Sequence, residues 1–166
     1  MAKKVKCGKR HACPSGIPKR DLCEEFHPDE VGFALDAARD RGACVDNTVV
    51  AGYCFGGAAV LEFTRSGADI KGFATFHGGL ETPKGQSYAK TRGEILIMHR
   101  SADSAITMDQ FAQLAKELES AGVPHEMITY GGAPHAFTVF GSNRYKKDAD
   151  KKSWKRFIEF LADRLK

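Results

Sequence analysis

No stretch of this 166-residue chain approaches the apolar length needed to span a bilayer, and its opening, Met1-Ala2-Lys3-Lys4-Val5-Lys6, is charged with no apolar run behind it. Neither a membrane role nor a secretory leader is expected, and the expected location is cytoplasmic. Pairs of the C-x-x-C or H-x-x-x-H kind are missing among Cys7, His11, Cys13 and Cys23, so no metal ligation is expected, and no cofactor either. The five cysteines are odd in number and scattered over positions 7, 13, 23, 44 and 54, which suits reduced thiols better than a disulfide framework. No large excess of one charge is present. The net +4 comes from Lys/Arg clusters near the two ends, and the C-terminal one is interleaved with Asp148, Asp150 and Glu159, as on a solvated helix face, so no nucleic-acid partner is expected. There is no internal repeat, and a hydrophobic content of 42% is ordinary for one globular domain.

What the chain does have is the run Thr48-Val49-Val50-Ala51-Gly52-Tyr53-Cys54-Phe55-Gly56-Gly57-Ala58-Ala59-Val60, a β-rich segment that ends at a cysteine between glycines and continues into small, helix-compatible residues. It reads as strand, tight turn and helix with Cys54 at the apex. The spacing Gly52-x-Cys54-x-Gly56 is that of a nucleophile elbow, whose sharp turn needs small neighbours. An apex thiol over a helix N-terminus is expected to ionise easily, since such surroundings lower a cysteine pKa from about 8.5 to roughly 3.5–7.5.

Along the rest of the chain, residues 1–26 read as an irregular extension with turn signals and 27–166 as the domain. A helix is predicted from Pro28, with Val31, Ala34, Leu35 and Ala38 on one face and Gly42 as its stop. Strands are predicted at 70–76, 94–98 and 123–130. Between the last two, Thr107 and Gln110 form a capping box ahead of the apolar stripe Phe111, Leu114, Ala115 and Leu118. A final helix carries Trp154, Phe157, Ile158, Leu161 and Leu165 on one face. Strands alternating with helices predict an α/β fold with a mostly parallel sheet flanked by helices, its chemistry beyond the carboxyl ends of the strands. The residues there are Cys54, His77, Asp103 and His135. Cysteine, acid and histidine after successive strands, in that order, follow the chain order of an α/β-hydrolase triad.

Three segments together resemble the dienelactone hydrolase family of α/β-hydrolases: Gly52-Tyr53-Cys54-Phe55-Gly56-Gly57, Ile95-Leu96-Ile97-Met98-His99-Arg100-Ser101-Ala102-Asp103, and Tyr130-Gly131-Gly132-Ala133-Pro134-His135-Ala136-Phe137. The resemblance implies a carboxylic ester hydrolase with Cys54 as nucleophile, His135 as general base and Asp103 orienting it, and with a small-molecule ester as substrate. It places the backbone N–H of Phe55 in the oxyanion hole. His77, by its position after the second of these strands, is either a residue lining the pocket or a histidine hydrogen-bonded within a Gly-rich turn. Family members are longer, with further strands ahead of the first helix, so an N-terminally truncated fold is expected. The second oxyanion donor belongs to that earlier part. An unpaired first strand would favour pairing of two copies. Dienelactone hydrolases proper place an arginine soon after the histidine to hold a substrate carboxylate, whereas Thr138-Val139-Phe140 stands here, so an uncharged ester is expected. The alternatives are a catalytically impaired or redox-sensing relative that keeps the elbow thiol, and a glutamine amidotransferase, against which stand Gly57 and Ala136-Phe137 where that family has glutamine and glutamate. Among other candidates, Asp109 rivals Asp103 and His125 rivals His135, but Asp109 is explained by the dipole of its helix and His99 by a structural role.

Overall fold

The computed structural model describes residues 29–166, with side chains from Val31 onward, so the extension expected over 1–26 lies outside the described residues. The elements are α1 (Asp29–Asp40), a 3-10 turn at Val45–Asn47, β1 (Val49–Tyr53), α2 (Phe55–Arg65), β2 (Gly72–Phe76), β3 (Glu94–Arg100), α3 (Met108–Ser120), β4 (His125–Tyr130) and α4 (Lys147–Arg164). All strand pairs are parallel, in the order β1-β2-β3-β4.

Period-two alternation sends successive residues of each strand to opposite faces. Phe73, Ile95 and Ile97 pack with Val60, Leu61 and Phe63 of α2 and Leu114 and Leu118 of α3. Ala74, Phe76, Leu96 and Met98 face the other way, against Phe157 and Phe160 of α4. With both faces covered, β2 is buried throughout and β3 at every residue after Glu94, which is why they read as unbroken apolar runs. Among the described residues β1 pairs on one side only, and Ala51 and Tyr53 are exposed.

The predicted cap of α3 is present in both directions: Gln110 N–H donates to Thr107 Oγ1 at 3.3 Å, and Thr107 N–H donates to Gln110 Oε1 at 2.9 Å. Val31 and Leu35 of α1 pack against the first core as the periodicity requires, while Ala34 is exposed. On α4 the buried stripe is Ala149, Ser153, Phe157 and Phe160, whereas Trp154 is 52% and Ile158 46% exposed. The face is set by fit rather than by hydrophobicity alone. Phe160 lies over Gly72 of β2, where an added Cβ would come within 2.7 Å of the ring, and the small Ala149 and Ser153 let the helix approach.

β3 runs two residues beyond its expected end because His99 and Arg100 stay in register with Thr129 and Tyr130 of β4. At the other strand ends Tyr53, Phe76 and Met98 are level, and the ladder continues past them: Cys54 N–H donates to Phe76 O at 3.1 Å and His77 N–H to Met98 O at 2.9 Å. Cys54 and His77, 23 residues apart in sequence, are thereby next-door neighbours at the carboxyl edge of the sheet. No described helix is long and apolar enough to cross a membrane.

Candidate active site

Cys54 joins β1 to α2 with φ 51° and ψ −119°, a left-handed conformation that a side chain adopts only where its surroundings dictate it. Gly52 is indispensable to this turn, since a Cβ there would sit 2.1 Å from the carbonyl oxygen of Gly56. Gly57 and Gly78 touch backbone to backbone, with an added Cβ on either coming within 2.8 Å of the other residue, so the start of α2 nests against the turn after β2. Gly56, which the elbow spacing marks as equally necessary, has nothing within 4 Å of an added Cβ. Gly52→Ala is therefore expected to destabilise the chain by about 2–3 kcal/mol, whereas Gly56→Ala should be neutral or slightly stabilising in thermal unfolding. Equal melting temperatures for the two variants would contradict this account of the turn.

His77 follows β2 with φ 43° and is 1% exposed. Its Nδ1 lies 3.2 Å from Cys54 Sγ and its Nε2 2.8 Å from Thr138 Oγ1. The Phe137 ring meets it edge-on at 5.2 Å, and Tyr53 and His135 flank it at 5.8 and 5.7 Å. Burial, reinforced by the charges of Arg100 and His135, pushes His77 down to about 4, so the ring is neutral at neutral pH and has one donor and one acceptor nitrogen. Expected only to line the pocket, it is in direct contact with the thiol.

His135 stands in the loop after β4, next to Ala136 with φ 61°. Its Nδ1 is 3.1 Å from Asp103 Oδ2 and 2.7 Å from Arg100 Nη2. Asp103 is held from every side. The N–H groups of Ala105 and Ile106 donate to its Oδ1 at 2.7 and 3.1 Å, and the Arg100 guanidinium donates to Oδ2. Burial alone would raise this carboxyl, but the two N–H groups, Arg100 and His135 outweigh it and bring it down to about 2.

Arg100 is the participant that sequence reasoning passed over. It is 0% exposed, and its Nη1 meets no hydrogen-bond partner among the described residues. Burial lowers its pKa while Asp103 opposes the shift. The available signal was a cation closing an apolar strand three residues before the candidate acid.

Cys54, His77 and His135 each present one sulfur or ring nitrogen, and these three atoms lie within 4.8 Å of one another. Cys54, Asp103 and His135 thus converge, although the hydrogen bond of the thiol is made with His77. The expectation of a readily ionised thiol needs correction: burial pushes Cys54 up from its ordinary value, and the charge of Arg100 offsets this only in part. Phe55 opens α2 and is 70% exposed, and Val139 and Phe140 are exposed just beyond the histidine loop. The rivals are elsewhere. Asp109 is exposed in the first turn of α3, His99 is buried in β3 and stacked on Phe111 at 5.3 Å, and His125 Nδ1 sits 2.8 Å from Val123 O.

Comparison with known proteins identifies the family and the fold. Residues 24–165 match the model of the dienelactone hydrolase family. An uncharacterized protein of Caenorhabditis elegans is 31% identical over 134 residues, covering 72% of this chain and 83% of that protein. A protein of Escherichia coli (strain K12) assigned as a carboxymethylenebutenolidase is 22% identical over 132 residues, covering 75% of this chain and 49% of its own length. Among solved structures, a dienelactone hydrolase-like promiscuous phosphotriesterase from metagenomic libraries superposes with a TM-score of 0.75 at 25% identity, over 84% of this chain and 62% of that one. A dienelactone hydrolase-like protein of Klebsiella pneumoniae gives 0.74 at 19% identity, over 81% and 60% of the two chains, a likeness of fold. The chain thus spans about half the length of the Escherichia coli relative and about three fifths of these structures. With its elbow, parallel sheet and a family match over 24–165, the chain belongs to the dienelactone hydrolase family and has an α/β-hydrolase fold.

Proposed function

We propose that this chain hydrolyses uncharged carboxylic esters or thioesters through a Cys54-His135-Asp103 triad and a thioester acyl-enzyme. The supporting observation is the placement of the Cys54 sulfur within 4.8 Å of a ring nitrogen of His135, whose Nδ1 meets Asp103 at 3.1 Å. Sγ attacks the ester carbonyl carbon as its proton passes to Nε2 of His135, and the oxyanion lies toward the N–H of Phe55 at the head of α2. Collapse returns that proton to the departing alcohol. Water then cleaves the thioester and restores the thiol.

For Nε2 to accept a proton, Nδ1 must carry its own hydrogen and donate it to Asp103. The Nη2 of Arg100, 2.7 Å from the same nitrogen, opposes that tautomer, so this contact must lengthen before Nε2 can act as the base. Because the thiol is raised rather than lowered by its surroundings, its ionisation is coupled to attack and is not complete beforehand. The same upward shift disfavours a redox-sensing role, which calls for a low-pKa thiol.

Uncharged substrates follow from the rim. Thr138 is engaged by His77, Val139 and Phe140 are apolar and exposed, and Arg100 is wholly buried against Asp103. A bidentate clamp for a substrate carboxylate is not among these residues. With p-nitrophenyl acetate the protein should release a burst of p-nitrophenol equal to its own concentration and carry an acetyl group on Cys54 by mass spectrometry. Cys54→Ala should remove burst and label and lower turnover by at least about a thousandfold. Full turnover by that variant would refute the triad, and faster hydrolysis of dienelactone than of aryl acetates would refute the substrate class.

A further inference from the structure

We infer that Cys54, His77 and His135 form a binding site for one borderline divalent metal ion, zinc foremost, with the fourth coordination position open to water or solute. One thiolate and two imidazoles are a donor set that zinc accepts, and three protein ligands with an open position are a known arrangement for it. Bond lengths of about 2.3 Å to sulfur and 2.0–2.1 Å to nitrogen put tetrahedral ligand atoms about 3.3–3.6 Å apart. The Cys54 Sγ to His77 Nδ1 separation is already 3.2 Å, and all three ligand atoms lie within 4.8 Å of one another. Contraction falls on His135, the member on a loop, whose side chain is 40% exposed.

The outer contacts favour the same assignment. A ligating imidazole characteristically has its second nitrogen held by a carboxylate or another oxygen, which fixes the ring. Both rings here have such a partner: His77 Nε2 meets Thr138 Oγ1 at 2.8 Å, and His135 Nδ1 meets Asp103 Oδ2 at 3.1 Å, leaving His77 Nδ1 and His135 Nε2 for the ion once the 2.7 Å contact of Arg100 Nη2 with His135 Nδ1 gives way to the carboxylate. Arg100 is a cation close by and works against a dication, but Asp103 matches its charge and the thiolate contributes another negative charge. On binding, the S–H bond of Cys54 breaks as the sulfur–metal bond forms, and the proton leaves to solvent. No local motif announces the site, because its ligands follow three different strands.

The inference rests on the ligand positions and not on ester hydrolysis, though an ion bound there would tie up the nucleophile of the proposed triad. Cobalt(II) added to the reduced full chain tests it. One equivalent should give a thiolate-to-cobalt charge-transfer band in the near ultraviolet together with the intense visible bands of four-coordinate cobalt, and zinc should displace both. Cys54→Ser, nearly isosteric, should abolish the charge-transfer band and weaken binding at least tenfold, and Thr138→Val, which alters only the outer partner of His77, should weaken it about tenfold. An unchanged band in Cys54→Ser would place the metal on other cysteines and overturn the site, as would the pale spectrum of six-coordinate cobalt at one equivalent. Hydrolysis of p-nitrophenyl acetate is measured alongside, with zinc and then with EDTA. The bands without hydrolysis would leave the metal site standing and the esterase reading refuted, and hydrolysis without the bands would do the reverse.

Discussion

Asp103→Ala is expected to abolish ester turnover and weaken the fold in the same stroke. In the native protein Asp103 and Arg100 are an almost fully buried pair, with side chains 4% and 0% exposed. Removing the carboxylate leaves a guanidinium buried without its counter-charge, a change that costs about 3–5 kcal/mol and should lower the melting temperature by roughly 10 °C. It also frees His135 Nδ1 from the only carboxylate bonded to it among the described residues, and a triad histidine in the wrong tautomer loses about 10⁴ in kcat. Arg100→Met on the Asp103→Ala background separates the two effects. With both charges gone, most of the stability should return while activity does not. An Asp103→Ala variant that still turns over ester would hand the role to another acid. One that melts like the wild type would show that the pair is not buried in solution. Acid titration tests the same group. Its folded pKa of about 2 lies below the ordinary 3.8, so its contribution, about 2 kcal/mol, is complete above pH 4 and is lost as the pH falls from 4 to 2.

A second large effect belongs to His99, which has no role in the proposed chemistry. It is 0% exposed, stacked on Phe111, and neither ring nitrogen meets a partner at hydrogen-bond distance and angle among the described residues. Burial, helped by Arg100 and opposed by Asp103 and the backbone at Ile106, pushes it from 6.5 to about 4. The unfolded chain therefore takes up a proton at this ring before the folded one does, and stability must fall as pH drops from 6.5 toward 4. The full loss is about 3 kcal/mol, of which about 2 kcal/mol is reached by pH 5. His99→Leu keeps the volume, removes two polar atoms from an apolar setting and deletes this titration. It should be at least as stable as wild type at pH 8 and about 2 kcal/mol more stable relative to it at pH 5. The remaining acid slope reflects His77, which is shifted in the same direction. Urea unfolding of both proteins across this range decides the matter, and parallel curves would refute the assignment.

The sequence was most informative where one local requirement has one solution. The elbow at Cys54, the reciprocal cap of Thr107 and Gln110 and the apolar runs of β2 and β3 are each fixed by sterics or burial within a few residues, and each could be read directly. The buried face of α4 could not, because Trp154 and Ile158 outweigh Ala149 and Ser153 in hydrophobicity while the sheet opposite selects the small residues. At the site, chain order brought Cys54, Asp103 and His135 forward. The contact of His77 with the thiol depends on the register of β1 on β2 and on a left-handed turn, neither of which has a sequence signature at a histidine. Arg100 escaped notice for a related reason: its importance lies in being buried, and an arginine at a strand end is ordinarily exposed.

Among the described residues only Cys54, His77 and Ala136 adopt positive φ without being glycine, and all three are at or beside the proposed catalytic groups. Each such conformation costs on the order of 1 kcal/mol, held in place by the packing around it. Selection for heat tolerance alone would therefore favour glycine at the elbow, position 54, and glycine or asparagine at 136, while His77 is held by its burial and its two hydrogen-bond partners. A library sorted that way would drift toward sturdier proteins with an empty workbench, so any effort to harden this scaffold should leave 54, 77 and 136 untouched and seek its gains in the helices.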